Sequence, residues 1–479
     1  MLRLRSVWLA LGAAALSRLM LAVFVPLMDT TEARYGEMAR KMVESRDWLV
    51  PLHDYGVPYL AKPPLAFWFS AAGIALFGPG ELGPRILILI ATVAFAIAFY
   101  FCVRRWIGSV AALTALLVMT TSFLFFVAAA AVMTDMLLTI AVSVALGAFW
   151  ERYRGGSGHA ELALYVALGL GLLIKGPLAA VLALGPIVLW ALAFRRVGQV
   201  WQRFAWLKGG LLALAIGAPW YVAAELRNPG FLNYFIIGEH IQRFLVPGWT
   251  GDLYGRAHDV PRGGIWLFFL LGALPWGLIA IPWLIRARLR VRERWREHHE
   301  LVAFWLISAL VPLLLFTFAG NIIFPYALPA LPPVALALAV LVSNDDARAL
   351  QRLAATAFVM IVVVTAAAWA AGSYMENHSQ RSVVREVAER APNAKEPVYY
   401  WQTRFFSADY YGQGRVRVVE DAAPLARELA ARHEFTLVVP EPRMDSLPTD
   451  ISQRLIRVGA VDSMLLLVPD YSARAVRAQ

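Results

Sequence analysis

Two lysines that stand directly before helix-breaking residues are the first candidates for chemistry. Lys62 precedes a Pro-Pro pair and Lys175 precedes a Gly-Pro pair, each beside an apolar run. Proline fixes its own backbone and restricts the residue before it, so each lysine is held in one place. An ammonium group held in this way can bind a phosphate. A lysine whose stem lies along the membrane interface is the alternative explanation.

Three carboxylates have positions that suit acid–base chemistry. Glu32 lies in the first turn of a predicted helix that Thr30 or Thr31 can cap, where the helix dipole keeps a carboxylate ionised. Asp29 lies just before it, and Asp135 lies at the boundary of another apolar run. A carboxylate placed there can accept a proton from an attacking hydroxyl or amine. Helix capping, or an ion pair with a lysine in the case of Asp135, is the structural alternative.

The polar segment at residues 225–263 carries His240 and Arg243 among several aromatic residues. Arg243 can bind a phosphate or carboxylate through two parallel hydrogen bonds, and aromatic rings suit stacking on sugars. The aromatic belt of an ordinary membrane protein explains the rings equally well. Because His53, His240 and His258 lack the close spacing of metal ligands, the sequence leaves a divalent metal site undecided.

Apolar segments long enough to cross a membrane are the elements that position these residues. The chain has 479 residues, of which 59% are hydrophobic and 16% charged, and its mean hydropathy of +0.60 is too high for a soluble protein of this length. A span needs about 20 apolar residues. The stretch 63–78 is predicted to enter the interface without crossing. About eleven spans are predicted, at 7–27, 81–102, 109–128, 130–149, 161–175, 177–194, 208–224, 264–285, 301–319, 322–342 and 352–372.

Clusters of basic residues between the spans predict the orientation. With the N-terminus in the cytoplasm, these clusters share the cytoplasmic side, as the positive-inside rule requires. The loops 28–80 and 225–263 and the chain after 373 then face outward, together with every candidate residue. The clusters lie at 104–105, 152–154, 195–196, 286–296 and 348–352.

Charge and cysteine content exclude several classes of function. Because the basic clusters serve orientation, the formal charge of +11 gives no support to nucleic-acid binding. The single cysteine, Cys102, excludes an intrachain disulfide and a Cys-x-x-Cys site. The N-terminal segment lacks a clear small-residue cleavage site and is predicted to be a retained first helix rather than a signal peptide.

Composition changes at about residue 373, which divides the chain into a membrane domain, 1–372, and a second domain, 373–479. The second part alternates amphipathic helical stretches with strand-like runs, a pattern that predicts a small α/β domain outside the membrane. The predicted helices are Arg381–Arg390 and Ala423–Arg432, and the predicted strands are Pro397–Trp401, Val416–Val419, Thr436–Val439 and Ser463–Val468.

A series of motifs resembles those of the bacterial lipid A aminoarabinose transferases and their protein O-mannosyltransferase-like relatives. The motifs are TEARYGEMARKM, KPPL, TDML, LIKGP and FPYALPALP, and they occur in the order of the family over residues 5–345. The resemblance implies a mostly α, polytopic GT-C fold. It also implies an inverting glycosyltransferase that takes a sugar from a polyprenyl phosphate and transfers it to an acceptor on the periplasmic side of the inner membrane.

The resemblance also implies roles for residues in these motifs. Lys62 and Lys175 would hold the lipid phosphate, Arg34 and Tyr35 would lie beside it, and Tyr326 would line the donor cavity. The acidic positions of the family's motifs are matched only in part. Thr31 stands where the family has its first acidic residue, and Ala61 stands where relatives often have a glutamate directly before the Lys-Pro-Pro.

The base is therefore either Glu32, which keeps the spacing to Arg34, or Asp29, with Asp135 as the second acidic residue. We favour Glu32, with Asp29 positioning the loop. The loss of the glutamate at Ala61 leaves the metal and the identities of the sugar and the acceptor open.

The residues themselves are compatible with this activity. Lys62, Lys175 and Arg243 can neutralise the phosphate as it leaves the sugar, while a carboxylate deprotonates the acceptor. Two other classes of protein compete with this interpretation. A transporter or flippase of an anionic lipid also needs charges near the membrane, and a noncatalytic envelope-assembly protein would bind without turnover.

Overall fold

The computed structural model describes residues 2–255, 260–343, 347–390 and 396–471. His258, in the predicted loop 225–263, lies outside the described residues. The first half of the chain forms helices α1 (Leu2–Phe24), α2 (Thr31–Ser45), α3 (Leu65–Phe77), α4 (Gly83–Ile107), α5 (Ser109–Thr120), α6 (Phe123–Ala128), α7 (Thr134–Tyr153), α8 (Gly158–Lys175), α9 (Pro177–Ala193), α10 (Val197–Arg203) and α11 (Trp206–Arg227).

The hairpin β1 (Leu52–Asp54) and β2 (Val57–Pro58) lies between α2 and α3. After α11 come a π-helix (Asn233–Gln242), α12 (Arg243–Leu245), α13 (Gly264–Gly272), α14 (Trp276–Arg286), α15 (Arg288–Thr317), a 3-10 helix (Phe324–Ala330), α16 (Leu331–Val342), α17 (Ala347–Ala370) and α18 (Gly372–Asn377).

Within the described residues, eight helical segments are long and apolar enough to span a membrane, and α13 with α14 form a pair bent by 82° that brings the number to nine if it is one span. The shorter apolar helices α3, α5 and α9 accompany them. Every one of the eleven predicted spans coincides with helical structure, and the multi-span membrane protein predicted from composition is confirmed. The basic cluster at 286–296 is helical apart from Ala287, because α14 ends at Arg286 and α15 begins at Arg288 and kinks at His298.

Aromatic rings hold the end of α7 that lies away from Asp135. The rings of Trp150 on α7, Trp190 on α9 and Phe304 on α15 lie with centroids 5.1 to 5.8 Å apart, and all three residues are buried. Large aromatic side chains bury much apolar surface in a defined geometry. The first turn of α7, with Asp135, is thereby held at the opposite end of a fixed helix.

The C-terminal part forms the predicted α/β arrangement. Its elements are α19 (Arg381–Arg390), β3 (Val398–Trp401), α20 (Phe406–Gly412), β4 (Val416–Val419), α21 (Ala423–Ala431), β5 (Thr436–Pro440), a 3-10 helix (Glu441–Ser446), α22 (Thr449–Ser452), β6 (Leu455–Val461) and β7 (Met464–Pro469). The five strands pair in the order β4-β3-β5-β7-β6, with β3 parallel to β4 and β5, and with β7 antiparallel to β5 and β6. Four of these strands and the helices α19 and α21 were predicted from the sequence, whereas β6 and the short helices α20 and α22 were missed. The domain boundary at 373 stays a prediction.

Helix α20 of the C-terminal part packs against α2 and the end of α1. The Tyr411 hydroxyl accepts a hydrogen bond from the backbone N–H of Leu27 at 2.8 Å, and the Tyr410 hydroxyl donates to the carbonyl of Gly80 at 3.0 Å. Arg404, just before α20, pairs with Asp54 of the hairpin at 2.8 Å. These contacts attach the C-terminal part to the segment just before α2, the helix that carries Glu32, and to the hairpin and loop that follow it.

Candidate active site

The break between α8 and α9 determines the position of Lys175. Gly176 has a φ of +70°, a conformation that glycine adopts without strain, and Pro177 begins α9 immediately afterwards. A Cβ at Gly176 would lie 2.8 Å from the ring of Phe235, so a larger residue does not fit. The Lys-Gly-Pro sequence therefore ends one helix and begins the next with the lysine at the junction.

Lys175 meets two other predicted residues there. Its Nζ lies 2.6 Å from Oδ1 of Asp135 and 4.4 Å from the ring centroid of Tyr326. Asp135 comes from the first turn of α7 and Tyr326 from the 3-10 helix before α16. Lysine and aspartate are both buried, so the ammonium and the carboxylate compensate each other's loss of water. Three distant motifs thus converge on one point.

Lys62 and Arg243 form a second group around a carboxylate that the sequence interpretation missed, Glu239. Nζ of Lys62 lies 2.8 Å from Oε2 of Glu239, and Nη1 of Arg243 lies 3.1 Å from the same oxygen. Burial opposes ionisation of Glu239, but the Lys62 ammonium and then the Arg243 guanidinium outweigh it and hold the pKa of Glu239 at about 2. The sequence contained one indication of Glu239, because this residue directly precedes His240 in the polar segment 225–263.

His240 connects this loop to the end of α8. Its Nδ1 lies 2.8 Å from the carbonyl oxygen of Phe235, and its Nε2 lies 3.2 Å from that of Lys175. Burial, followed by the charge of Lys62, lowers the pKa of the ring, although the two carbonyls oppose this change. With both nitrogens beside backbone oxygens, His240 is placed to orient the loop.

Glu32 forms an ion pair with Arg85, a residue of α4 that the sequence interpretation also missed. Oε1 accepts a hydrogen bond from Nε of Arg85 at 2.9 Å, and Oε2 accepts one from Nη2 at 2.6 Å. Oε1 also accepts from the backbone N–H of Val132 at 3.2 Å. Burial alone would raise the pKa of Glu32, but Arg85 more than offsets this effect and the pKa is lowered. The expected cap is absent, since Thr30 is the N-cap residue of α2 but its side chain makes no capping hydrogen bond.

Asp29 faces the C-terminal domain. Its Oδ1 accepts a hydrogen bond from the backbone N–H of Ser407 at 3.1 Å, and its Oδ2 accepts another from the Ser407 hydroxyl. Burial raises the pKa of Asp29, and the bonds from Ser407 counter this only in part. This contact suits the predicted role of Asp29 in positioning the loop.

Arg34 and Tyr35 extend the site along α2. Nη1 of Arg34 donates to the carbonyl of Tyr254 at 2.8 Å, and its guanidinium lies 5.6 Å from the ring centroid of Tyr35. The Tyr35 hydroxyl lies 3.4 Å from that of Tyr59, and its ring packs on Phe67 with centroids 5.0 Å apart. Both residues are therefore held in fixed positions by neighbouring aromatic groups.

An apolar cavity of about 910 Å³ adjoins the Glu32–Arg85 pair. Polar residues, including Asp29 and Thr31, line one part of it, and apolar side chains, most of them from α1, α6 and α17, line much of the rest. Met133 and Phe324, which also line the cavity, lie two residues from Asp135 and Tyr326 respectively. A cavity of this kind can take the apolar part of a lipid whose polar part lies beside the charged residues.

Metal ligation gains no direct support from the side-chain arrangement. Among the residues that the structure describes, no group of three or more His, Cys, Asp and Glu side chains is placed to hold a metal ion. His53 packs between aromatic rings, with its ring centroid 5.1 Å from that of Tyr254. Burial, and then the nearby Arg404, lowers the pKa of His53 to about 4.

Solved structures show which class of fold this arrangement belongs to. The chain is similar to the crystal structure of ArnT from Cupriavidus metallidurans bound to undecaprenyl phosphate, with a TM-score of 0.80 and 20% sequence identity over 98% of this chain and 99% of that one. The protein is thus a multi-span membrane protein with a GT-C fold, and the predicted fold class is confirmed.

Sequence comparisons give the nearer relationship. The chain is 32% identical over 320 residues to an undecaprenyl phosphate-alpha-4-amino-4-deoxy-L-arabinose arabinosyl transferase of Edwardsiella ictaluri, covering 65% of this chain and 55% of that protein. An enzyme of the same name from Aeromonas hydrophila is 31% identical over 66% of this chain and 56% of its own length.

Residues 61–222 match the profile of the dolichyl-phosphate-mannose-protein mannosyltransferase family. The predicted resemblance to the aminoarabinose transferases and their mannosyltransferase-like relatives is confirmed, although the chain spans little more than half the length of these two relatives.

Proposed function

We propose that this protein is an integral-membrane, inverting glycosyltransferase that moves a sugar from a polyprenyl-phosphate donor to a cell-envelope acceptor. The acceptor class comprises lipid A, another glycolipid, a glycan or a protein. The observation that carries this proposal is that Lys62 and Arg243, from separate segments, meet at Glu239, while His240 next to Glu239 contacts the carbonyl of Lys175, whose ammonium pairs with Asp135. Relatives named as undecaprenyl-phosphate sugar transferases support the donor class.

Charge stabilisation of the leaving phosphate follows from these cations. As the bond between the anomeric carbon and the phosphate oxygen breaks, negative charge grows on a phosphate that Lys62, Arg243 and Lys175 can contact. Fixed positive groups in a site with little water stabilise such a charge strongly. Tyr326 packs under Lys175 and supports its position. No nucleotide-binding segment is needed, because the lipid phosphate is itself the leaving group.

A carboxylate completes the reaction by taking the proton of the attacking acceptor. We propose Glu32 for this role, with Asp135 as the second acidic residue and Asp29 as the residue that positions the loop through Ser407. Arg85 keeps Glu32 ionised, so the carboxylate is ready to accept the acceptor's proton or to stabilise positive charge that develops on the sugar ring. Arg34 and Tyr35, one helical turn along α2, would lie beside the donor.

We place the protein in the bacterial inner membrane with this site facing the periplasm. The one-sided clusters of basic residues support the orientation. In this arrangement the domain formed by residues after 373 is periplasmic, and the lipid tail of the donor enters between helices while its phosphate stays at headgroup depth.

Mass spectrometry of envelope lipids and glycans from cells with and without the protein tests the proposal, because it reports the donor sugar and the acceptor together. We expect a product with an added sugar that disappears without the protein and returns with the wild-type chain but not with Lys62→Ala. Identical envelope profiles in the two strains would contradict a transferase and would favour a flippase or a noncatalytic assembly protein, neither of which adds a sugar.

A further inference from the structure

Glu239 is a buried carboxylate where the π-helix after α11 meets the loop before α3. It lies in the π-helix after α11, and its side chain is 1% exposed. Besides Lys62 and Arg243, the Tyr234 hydroxyl donates to its Oε1 at 3.0 Å. An ionised carboxylate in such a place is stable only when its oxygens are paired, and here both oxygens have charged or hydroxyl donors.

The two cations depend on this carboxylate for their common position. Lys62 belongs to the loop before α3 and Arg243 begins α12, so the two cations come from distant segments of the chain. Two positive groups so close repel each other unless a negative group lies between them. Within the described part of the chain, Glu239 is the one carboxylate in ion-pair contact with Lys62, whereas Arg243 also contacts Asp252 at 3.0 Å.

Lys62 and Arg243 keep N–H groups that can donate hydrogen bonds to a further anion. The ammonium of Lys62 has three N–H groups, and in the described structure it contacts the carbonyl of Ala61 at 2.8 Å and Glu239. Arg243 contacts both of its carboxylate partners through Nη1, and its Nε and Nη2 donate no hydrogen bond to any residue that the structure describes, so they can bind an anion. Glu239 therefore joins the two cations without using all their hydrogen-bonding capacity.

We propose that Glu239 is a positioning residue of the donor site, which holds Lys62 and Arg243 together so that their remaining N–H groups bind the phosphate of the polyprenyl donor. The inference rests on the proposed function and deepens it. Glu239 does not touch the sugar or take a proton. Its negative charge keeps Lys62 protonated and keeps the two cations at a fixed separation.

Removal of the charge of Glu239 has two separable effects. In Glu239→Gln, the amide can still accept one hydrogen bond but no longer offsets the repulsion between Lys62 and Arg243. Burial lowers the pKa of Lys62 while Glu239 raises it, and the net direction in the intact protein is upward. Without that carboxylate the pKa of Lys62 falls, and phosphate binding is lost at a lower pH than in the wild type.

The experiment measures binding of undecaprenyl phosphate to the purified full-length protein between pH 6 and pH 10. This range ends just below the ordinary lysine pKa of about 10.4, so a lowered pKa of Lys62 appears as a loss of binding within it. We expect Glu239→Gln to weaken binding about tenfold near neutral pH, the order of one hydrogen bond to a charged group, with a larger loss as pH rises. Glu239→Asp keeps the charge, so it should bind with intermediate affinity and lose no more affinity with rising pH than the wild type does.

Glu161→Gln is the matched control, because Glu161 is also a largely buried carboxylate that pairs with an arginine, Arg152, at 3.0 Å in another part of the protein. It should leave binding unchanged. Equal or tighter binding by Glu239→Gln would overturn the inference and show that Glu239 competes with the phosphate. A pH-independent loss in both Glu239 variants, with lowered thermal stability, would also overturn it and indicate a structural role. Failure of the wild type to bind undecaprenyl phosphate contradicts the proposed function itself.

Discussion

Replacement of Lys175 by methionine should weaken phosphate binding and also leave the buried Asp135 carboxylate without its partner. The Lys175 ammonium lies 2.6 Å from the Asp135 carboxylate, and both side chains are buried. Loss of one partner of a buried pair costs about 3–5 kcal/mol of stability because it leaves a charge uncompensated. Loss of one charge-assisted contact with a phosphate costs about 1.5–3 kcal/mol, which weakens binding by about 10- to 150-fold.

The two effects can be separated with a second substitution. Lys175→Met combined with Asp135→Leu removes both charges, so the buried site contains no unpaired ion and stability should return close to that of the wild type. Asp135→Asn alone leaves the lysine free of its carboxylate and should bind undecaprenyl phosphate at least as well as the wild type. Binding is the informative measurement, since Asp135 is itself a candidate for the chemistry.

The assay combines thermal unfolding in detergent with titration of undecaprenyl phosphate. We expect the double variant to unfold near the wild-type temperature and to bind the lipid about 10- to 150-fold more weakly. If the double variant binds undecaprenyl phosphate as tightly as the wild type, Lys175 serves only to pair with Asp135. The phosphate role proposed for Lys175 would then be wrong.

Three further predictions test other parts of the account. In kinetic and binding assays, Glu32→Gln should keep donor binding but lose turnover, whereas Asp29→Asn should keep both. The reverse pattern would make Asp29 the essential carboxylate and Glu32 the residue that positions the loop. Burial raises the pKa of Asp409 from 3.8 to about 6, so stability due to this group falls as pH rises through that interval, and thermal melts of Asp409→Asn should show a flatter pH dependence. On a cysteine-free background, cysteines placed at the exposed positions Val57 and Glu420 should react with a membrane-impermeant thiol reagent before the inner membrane is permeabilised. Labelling only after permeabilisation would show that the protein has the opposite orientation.

Much of the fold follows from local sequence patterns. Apolar runs determine the spans, and the Gly-Pro pair after Lys175 marks a helix break that the structure shows at the same residues. In the C-terminal domain, α19 has the predicted bounds because its apolar residues recur with helical spacing. Strand β6 was missed because Leu455–Val461 includes Arg457 and Gly459, which weaken the alternating pattern.

The partners of the site residues could not be predicted in the same way. Arg85 lies inside the predicted span 81–102, where a single arginine gives no indication that it pairs with Glu32, 53 positions earlier. Glu239 stands beside His240 and Arg243, yet its contact with Lys62 depends on the packing of two loops 177 positions apart. The sequence motifs identify which charged residues can take part in the site, whereas the partner of each charge depends on tertiary packing.

Transfer from a defined donor by the purified protein tests the central claim most directly. The protein is incubated with an undecaprenyl-phosphate sugar and an extract of envelope lipids and glycans, and release of undecaprenyl phosphate is followed by mass spectrometry. We predict release that requires both the extract and the protein, and that slows about 30- to 1000-fold in Lys62→Ala, the equivalent of about 2–4 kcal/mol of lost phosphate stabilisation. Binding of the donor without any acceptor-dependent release, across extracts that contain all acceptor classes, would contradict the account.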